Sequence, residues 1–259
     1  MRAQNPFYDP RLLLADGRDE THRLNTAVGE FFARTARFHI PRFDLEERVY
    51  VHKVQFGEAL PPHFAVSVRK IAGSLRSALD HAVNASKASL GSANLNSAFP
   101  FGGDLKGFEL DIKRKCHGVA PEIISVIRGF QPYRGGNEDL LALNKLRNIN
   151  EHRLLIAPTL AGGMTFPFEI AGKRINILVT QPKNEPQWDD VNKTLTFKVH
   201  PFVEHNPMFE KIEKKLTFFL KFGDIEELAG AHLIPKLEAF ARVVENCIDS
   251  IEKETRPLH

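Results

Sequence analysis

Cysteine is nearly missing from the 259 residues: Cys116 and Cys247 stand far apart, and neither has a Cys-x-x-Cys partner. That excludes a disulfide scaffold and the usual zinc and redox motifs, and leaves two plain thiols as the expectation. The chain also lacks a glycine-rich loop ending in Gly-Lys-Ser/Thr, a His-Glu-x-x-His pair, a Gly-x-Ser-x-Gly elbow and any Glu-x-x-His. P-loop nucleotide hydrolysis, zinc proteolysis, α/β-hydrolase chemistry and a di-iron bundle therefore have no foothold, and no cofactor is expected. Charge of one sign is scarce too. A formal net charge of +3 is slight for this length, compatible with an RNA partner without demanding one. Neither a stretch of about eighteen apolar residues nor an apolar core in "MRAQNPFYDPRLLLADGRDE" is present, so the expectation is a cytoplasmic protein away from the membrane.

What is present is an ordinary globular balance, 42% hydrophobic and 26% charged, in a chain long enough to bury a large core. Apolar spacing predicts a first helix from Glu20 to Phe38, carrying Leu24, Ala27, Val28, Phe31, Thr35 and Phe38 and stopped by Pro41. The alternation of Val49, Val51, Val54 and Phe56 predicts a strand or hairpin. A second helix, from Phe64 to Lys87, has unbroken three and four spacing, and shorter ones follow at Leu105 to Cys116 and Pro121 to Phe130. Asn137 is a candidate cap for a fifth helix, "NEDLLALNKLRNINEHRLLI". Then "RINILVT", "KTLTFKV" and "KKLTFFLKF" read as an antiparallel sheet of three or four strands, and a last helix spans Ala231 to Glu254. The fold class is α+β: one domain, with a mainly helical core over about 20–154 and 231–255 and a β-rich insertion over about 155–225.

The fifth helix carries the sharpest question. Arg147 and His152 are separated by four residues, but so are Arg34 and His39, and Arg76 and His81. With this composition about 0.8 such pairs arise by chance, so the spacing decides nothing. His39 ends a helix, where a cation complements the helix dipole. Arg76 and Asp80 read as an i,i+4 ion pair, with His81 towards the other edge. Around Arg147, however, Asn144, Asn148, Glu151 and His152 form a contiguous polar face without a lysine. Asparagine and histidine are poor choices for a merely solvated helix. One reading is an active centre. The other is a packing or oligomer seam, with Arg147 paired to Glu151 and the remaining groups satisfying buried polar atoms.

The segments "LRSALDHAV", "AFPF", "FQPY" and "LNKLRNINEHRLL", in that order, resemble a family of functionally uncharacterised bacterial proteins. The arginine, polar residue, three residues, histidine arrangement also resembles the motif of the HEPN superfamily, helical domains among which are RNases of toxin and antiviral systems. The resemblance implies a HEPN-like helical core and metal-independent RNA cleavage by attack of the ribose 2′-hydroxyl. It places the motif arginine at Arg147, its polar follower at Asn148 and the motif histidine at His152. Glu151 is a further candidate at the centre, and Asn144, Arg76, Asp80 and His81 are candidates to support it. It also implies a homodimer in which two motifs share a cleft, and a cognate antitoxin or regulatory protein as a further partner. The basic run "DIKRKCH", with Lys113, Arg114 and Lys115, reads as a solvated charged turn and Trp188 as a loop anchor.

Overall fold

The computed structural model describes residues 5–152, 159–170, 173–179, 187–189, 191–199, 215–222, 228 and 230–256. Residues 38, 149–152, 159–170, 173–179, 188, 197, 215–219 and 221 are described as backbone only. The fold is α+β and mainly helical, with antiparallel strands ahead of the C-terminal helix. Among the described residues, no helix is long and apolar enough to cross a membrane. The chain groups into two compact units, one of residues 1–25, 62–157 and 224–259 and one of residues 26–61 and 158–223.

The first unit is built on α2 (His63–Ser89) and α6 (Leu233–Thr255), which pack on each other and on α5 (Glu138–His152); α4 (Pro121–Gly129) also packs on α6. The spacing explains the arrangement. In α2, Ile71, Ala72, Leu75, Ala78, Leu79, Ala82 and Val83 are all fully buried. In α6, Leu233, Leu237, Phe240, Val244, Cys247, Ile248 and Ile251 do the same. Each buried leucine or isoleucine contributes roughly 2 kcal/mol of apolar transfer, so these stripes hold the unit together. Local signals set the ends: Asp104 caps α3 (Leu105–Lys115) by accepting the Gly107 N–H at 2.7 Å. Asn137 caps α5 by accepting the Leu140 N–H at 3.1 Å.

The first helix differs from the sequence expectation at both ends: α1 runs Tyr8–Thr35. Its buried positions in the first unit are Pro10, Leu14, Gly17, Thr21 and Leu24, a regular seam in which three members are not strongly apolar and so escape a hydrophobic pattern. Gly17 is there because a Cβ would stand 2.9 Å from Leu75 Cδ2. The helix stops ahead of Pro41 because Ala36–Phe38 is β1, paired with Val54–Phe56.

In the second unit the strands form two sheets rather than one. β3 (Val49–Phe56) pairs with β1 and β2 (Arg42–Asp44) along one edge and with β7 (Thr194–Val199) along the other, and β7 pairs with β6 (Gln187–Asp189). β4 (Thr159–Ile170) lies between β5 (Lys173–Val179) and β8 (Lys215–Lys221) in a three-stranded sheet. Trp188 lies in β6, opposite Leu195, rather than in a loop. The end of α1 covers one face of the larger sheet: the Phe31 and Phe32 rings stand 6.3 and 6.0 Å from that of Phe56.

Candidate functional site

Three of the candidate residues, Arg76, Asp80 and Asn144, meet where α2 and α5 pack. Arg76 emerges from the apolar stripe of α2 and is 6% exposed, so burying its charge requires acceptors on every side. Nη1 donates to Asp80 one turn on, Nη2 to the Phe99 carbonyl at 3.0 Å and Nε to Asn144 Oδ1 at 3.3 Å. The guanidinium carbon also lies 4.5 Å from the centroid of the Phe101 ring, a cation–π contact. Asp80 Oδ1 accepts the Phe99 N–H at 2.7 Å as well. Arg76, Asp80 and Asn144 are thus brought into one network.

From Asn144 the polar face of α5 turns outward along the helix. Arg147, three residues on, is half-buried, and Asn148 is exposed. Glu151 and His152 lie in the final turn of α5; their side chains are outside the described residues. His81 stands apart from the network. It is exposed and borders a groove of about 450 Å³ with Asn5, Tyr8, Asp9, Asn84 and Leu95.

A larger feature is missed by reading the sequence for the arginine and histidine alone. Arg76, Asp80, Asn84 and Lys87 recur at intervals of four, four and three, a single stripe on α2, and together they strap the extended segment 97–101 to the helix. The Asn84 amide accepts the Ser97 N–H at 3.0 Å and donates to the Ser97 carbonyl at 2.7 Å, copying the two bonds of a strand pair. Lys87, 3% exposed, donates to Ser97 Oγ at 3.0 Å and to the His117 carbonyl at 2.9 Å. On the far side, Asp111 of α3 accepts the Phe101 N–H at 3.0 Å. The signal was available: four polar groups at helical spacing inside a helix with an unbroken apolar stripe cannot all be solvated.

Chemically, a fork held flat by three acceptors and an aromatic ring is an anchor. It fixes the middle of α5 against α2, and with it the stretch that carries Arg147 and Asn148. Asp111 also takes up the nearby basic run, with Arg114 at 2.5 Å and Lys115 at 2.8 Å. The two cysteines are free and buried, and burial pushes the Cys116 thiol up to about 11 and raises that of Cys247, so neither is a ready nucleophile. Among the described residues, no group of three or more His, Cys, Asp or Glu side chains is placed to hold a metal ion. No family model, curated protein or solved structure matches the chain.

Proposed function

We propose that the protein is a cytoplasmic, HEPN-like endoribonuclease that cleaves RNA without a metal ion, and that it serves as a toxin or phage-defence effector. The observation that carries this reading is the change of environment along one face of α5. Asn144 is tied to a buried arginine, Arg147 is half-buried and Asn148 is exposed. A helix face that begins on a buried arginine and ends at solvent can hold its functional groups rigidly and still offer them to a substrate.

In the proposed reaction the ribose 2′-oxygen attacks the adjacent phosphorus while its proton passes to His152. The bond from phosphorus to the 5′-oxygen breaks, that oxygen takes up a proton, and the products are a 2′,3′-cyclic phosphate and a 5′-hydroxyl. Arg147 binds the phosphate as negative charge builds on its oxygens, and Asn148 and Glu151 position the pair. A homodimer would bring two such faces to one cleft, and an antitoxin or regulatory protein would restrain it.

The test is cleavage of structured and unstructured RNA by the purified protein in excess chelator, beside His152→Ala. Removal of a general acid or base lowers the rate by about 100-fold or more, which is the expected result. Equal cleavage by both proteins, or cleavage by neither, overturns the proposal.

One observation favours a second reading, a non-catalytic binding or interaction protein: Asn144 is already spent on the packing of α2 against α5. If Arg147 is part of the same seam, Arg147→Ala unfolds or dissociates the protein. In the enzyme it leaves the melting temperature nearly unchanged while cleavage is lost.

A further inference from the structure

We infer that the outer face of the larger sheet, in the second unit, binds the phosphate backbone of single-stranded RNA through Arg37, Arg42 and Lys53. The argument begins with a bulge. Arg37 and Arg42 are five residues apart, and in an unbroken strand an odd separation sends two side chains to opposite faces. Here the chain is not unbroken. Phe38 pairs with Val54 and Arg42 with Val51, so three residues, His39, Ile40 and Pro41, face only His52 and Lys53 on β3. The one extra residue reverses the alternation between β1 and β2. Arg37 then lies opposite Gln55 and Arg42 opposite Val51, and residues 51, 53 and 55 share one face. The two arginines and Lys53 are therefore on the same side of the sheet.

That side is the open one. Along β3, Val54 and Phe56 are buried towards α1, whereas Lys53 and Gln55 are exposed, as are Arg37 and Arg42. The three cations occupy successive levels of β3, about 7 Å apart along the strand, a step comparable with that between phosphates of an extended single strand. None has an ion-pair partner among the described residues. Two carboxylates share this face, each turned onto the backbone of its own turn and away from the cations. Asp44 accepts the N–H groups of Glu46 and Glu47 at 3.0 Å, and Asp189 those of Val191 and Asn192 at 2.9 and 3.0 Å. The fourth cation, Lys198, is paired with Glu47 at 2.6 Å.

At the bulge the face deepens into a groove of about 700 Å³, lined by His39, Ile40, Arg42, Phe43, Val51 and Lys53 together with Asp44. Phe43 is 43% exposed and Ile40 is 89% exposed. Phe43, next to Arg42 on β2, pairs with Tyr50, its ring 5.0 Å from the Tyr50 ring, and so belongs to the other face; the open face offers unpaired cations at phosphate spacing along a groove, the electrostatic component of a sequence-tolerant single-strand site. An acidic protein would satisfy the cations but leave the groove beside them unexplained, which favours the polynucleotide. The choice of RNA rests on the ribonuclease reading of α5, but the binding face does not depend on the chemistry there.

The experiment is fluorescence anisotropy of the full-length protein with a labelled 2′-O-methyl oligouridine, which has no free 2′-hydroxyl and so binds without being cleaved. Across a salt series, Arg37→Ala/Arg42→Ala/Lys53→Ala is expected to weaken binding by at least about tenfold and to flatten the slope of log K against log salt by about 2. Phe43→Ala, on the opposite face, is expected to leave both affinity and slope unchanged. Arg37→Lys/Arg42→Lys keeps the charges and the wild-type slope, guarding against a folding defect in the alanine protein. Unchanged affinity and slope in the triple variant overturn the proposal, as does a wild-type protein that binds vesicles of anionic lipid or an acidic peptide but not the oligonucleotide. Failure of the ribonuclease reading shows differently, as intact binding without cleavage of ordinary RNA.

Discussion

Nε of Arg76 donates to Oδ1 of Asn144 across 3.3 Å, joining the middle of α2 to the first residue of the polar face on α5. The bond makes the two residues energetically dependent. Asn144→Ala removes one neutral acceptor from a charged donor and is expected to cost about 1.5 kcal/mol. Arg76→Ala removes the centre of the network, strands Asp80 and the Phe99 carbonyl, and is expected to cost about 3 kcal/mol or more. Because the shared bond can be lost only once, the double variant should be more stable than the sum of the single losses predicts by at least about 0.5 kcal/mol. Urea denaturation of the four proteins measures this, and strict additivity would show that the bond contributes nothing.

The strap across α2 makes a second prediction, local rather than global. Asn84→Ala deprives the Ser97 N–H and carbonyl of their shared partner while the bonds to Phe99 remain. A loss of about 2 kcal/mol is expected, and amide exchange at Ser97 should accelerate more than at Leu79 or Val83 in the α2 core. Uniform acceleration at all of these amides would mean that the segment has no separate opening and that the strap is only part of the general core.

The helices were the legible part of this molecule, and the reason is visible in their residues. Phe64 to Lys87 was readable as α2 because its apolar positions recur with the helix period, and Asn137 because a cap acts over three residues. What the sequence withheld is what depends on distant partners. Nothing near Val49 marks that β3 pairs with β7, some 145 residues later, since a strand's alternation shows which faces it has and not which strand it joins. The start of α1 was hidden because its seam holds Gly17, where the helix approaches Leu75 closely, and Thr21, whose hydroxyl donates to the Gly17 carbonyl. At the candidate site, the pairing of Arg76 with Asp80 followed from i,i+4 spacing; their joint hold on Asn144 and Phe99 required the tertiary structure.

Glu20 makes stability depend on pH in a defined window. Burial raises its carboxyl, but hydrogen bonds from Ser67, Arg23 and Lys70 outweigh that and hold it at about 2, against an ordinary value of 4.5. A folded value below the unfolded one means that the unfolded chain binds the proton more readily. The contribution is therefore complete above about 4.5 and disappears as pH falls towards 2. Glu20→Gln should lower stability at neutral pH and show a shallower decline than the wild type between pH 4.5 and 2. Parallel declines of the two proteins through that window would assign the acid sensitivity to other carboxylates.

Two adjacent glycines offer the cleanest comparison. At Gly102 an added Cβ would lie 2.3 Å from the Phe108 nitrogen, 2.5 Å from the Asp104 carbonyl oxygen and 2.7 Å from the Phe108 Cα. All three are backbone atoms of the turn that opens α3, so no rotamer change relieves the overlap. The chain is also held at that point, because the Gly102 N–H donates to the Pro132 carbonyl at 3.1 Å and Phe101 is fixed to Asp111 on one side and to Arg76 on the other. Gly103, by contrast, has nothing within 4 Å of an added Cβ. Gly102→Ala is therefore expected to cost about 2 kcal/mol or more by displacing either α3 or the Phe101 ring, while Gly103→Ala stays within about 0.5 kcal/mol of the wild type. Denaturant midpoints separate the two. If the loss at Gly102 passes through Phe101, the chemical shifts of Arg76 and Asn144 move with it, carrying a disturbance in the α3 turn to the base of the polar face on α5. Coincident midpoints for Gly102→Ala and Gly103→Ala would show that the turn yields to the new methyl group and that no such transmission occurs.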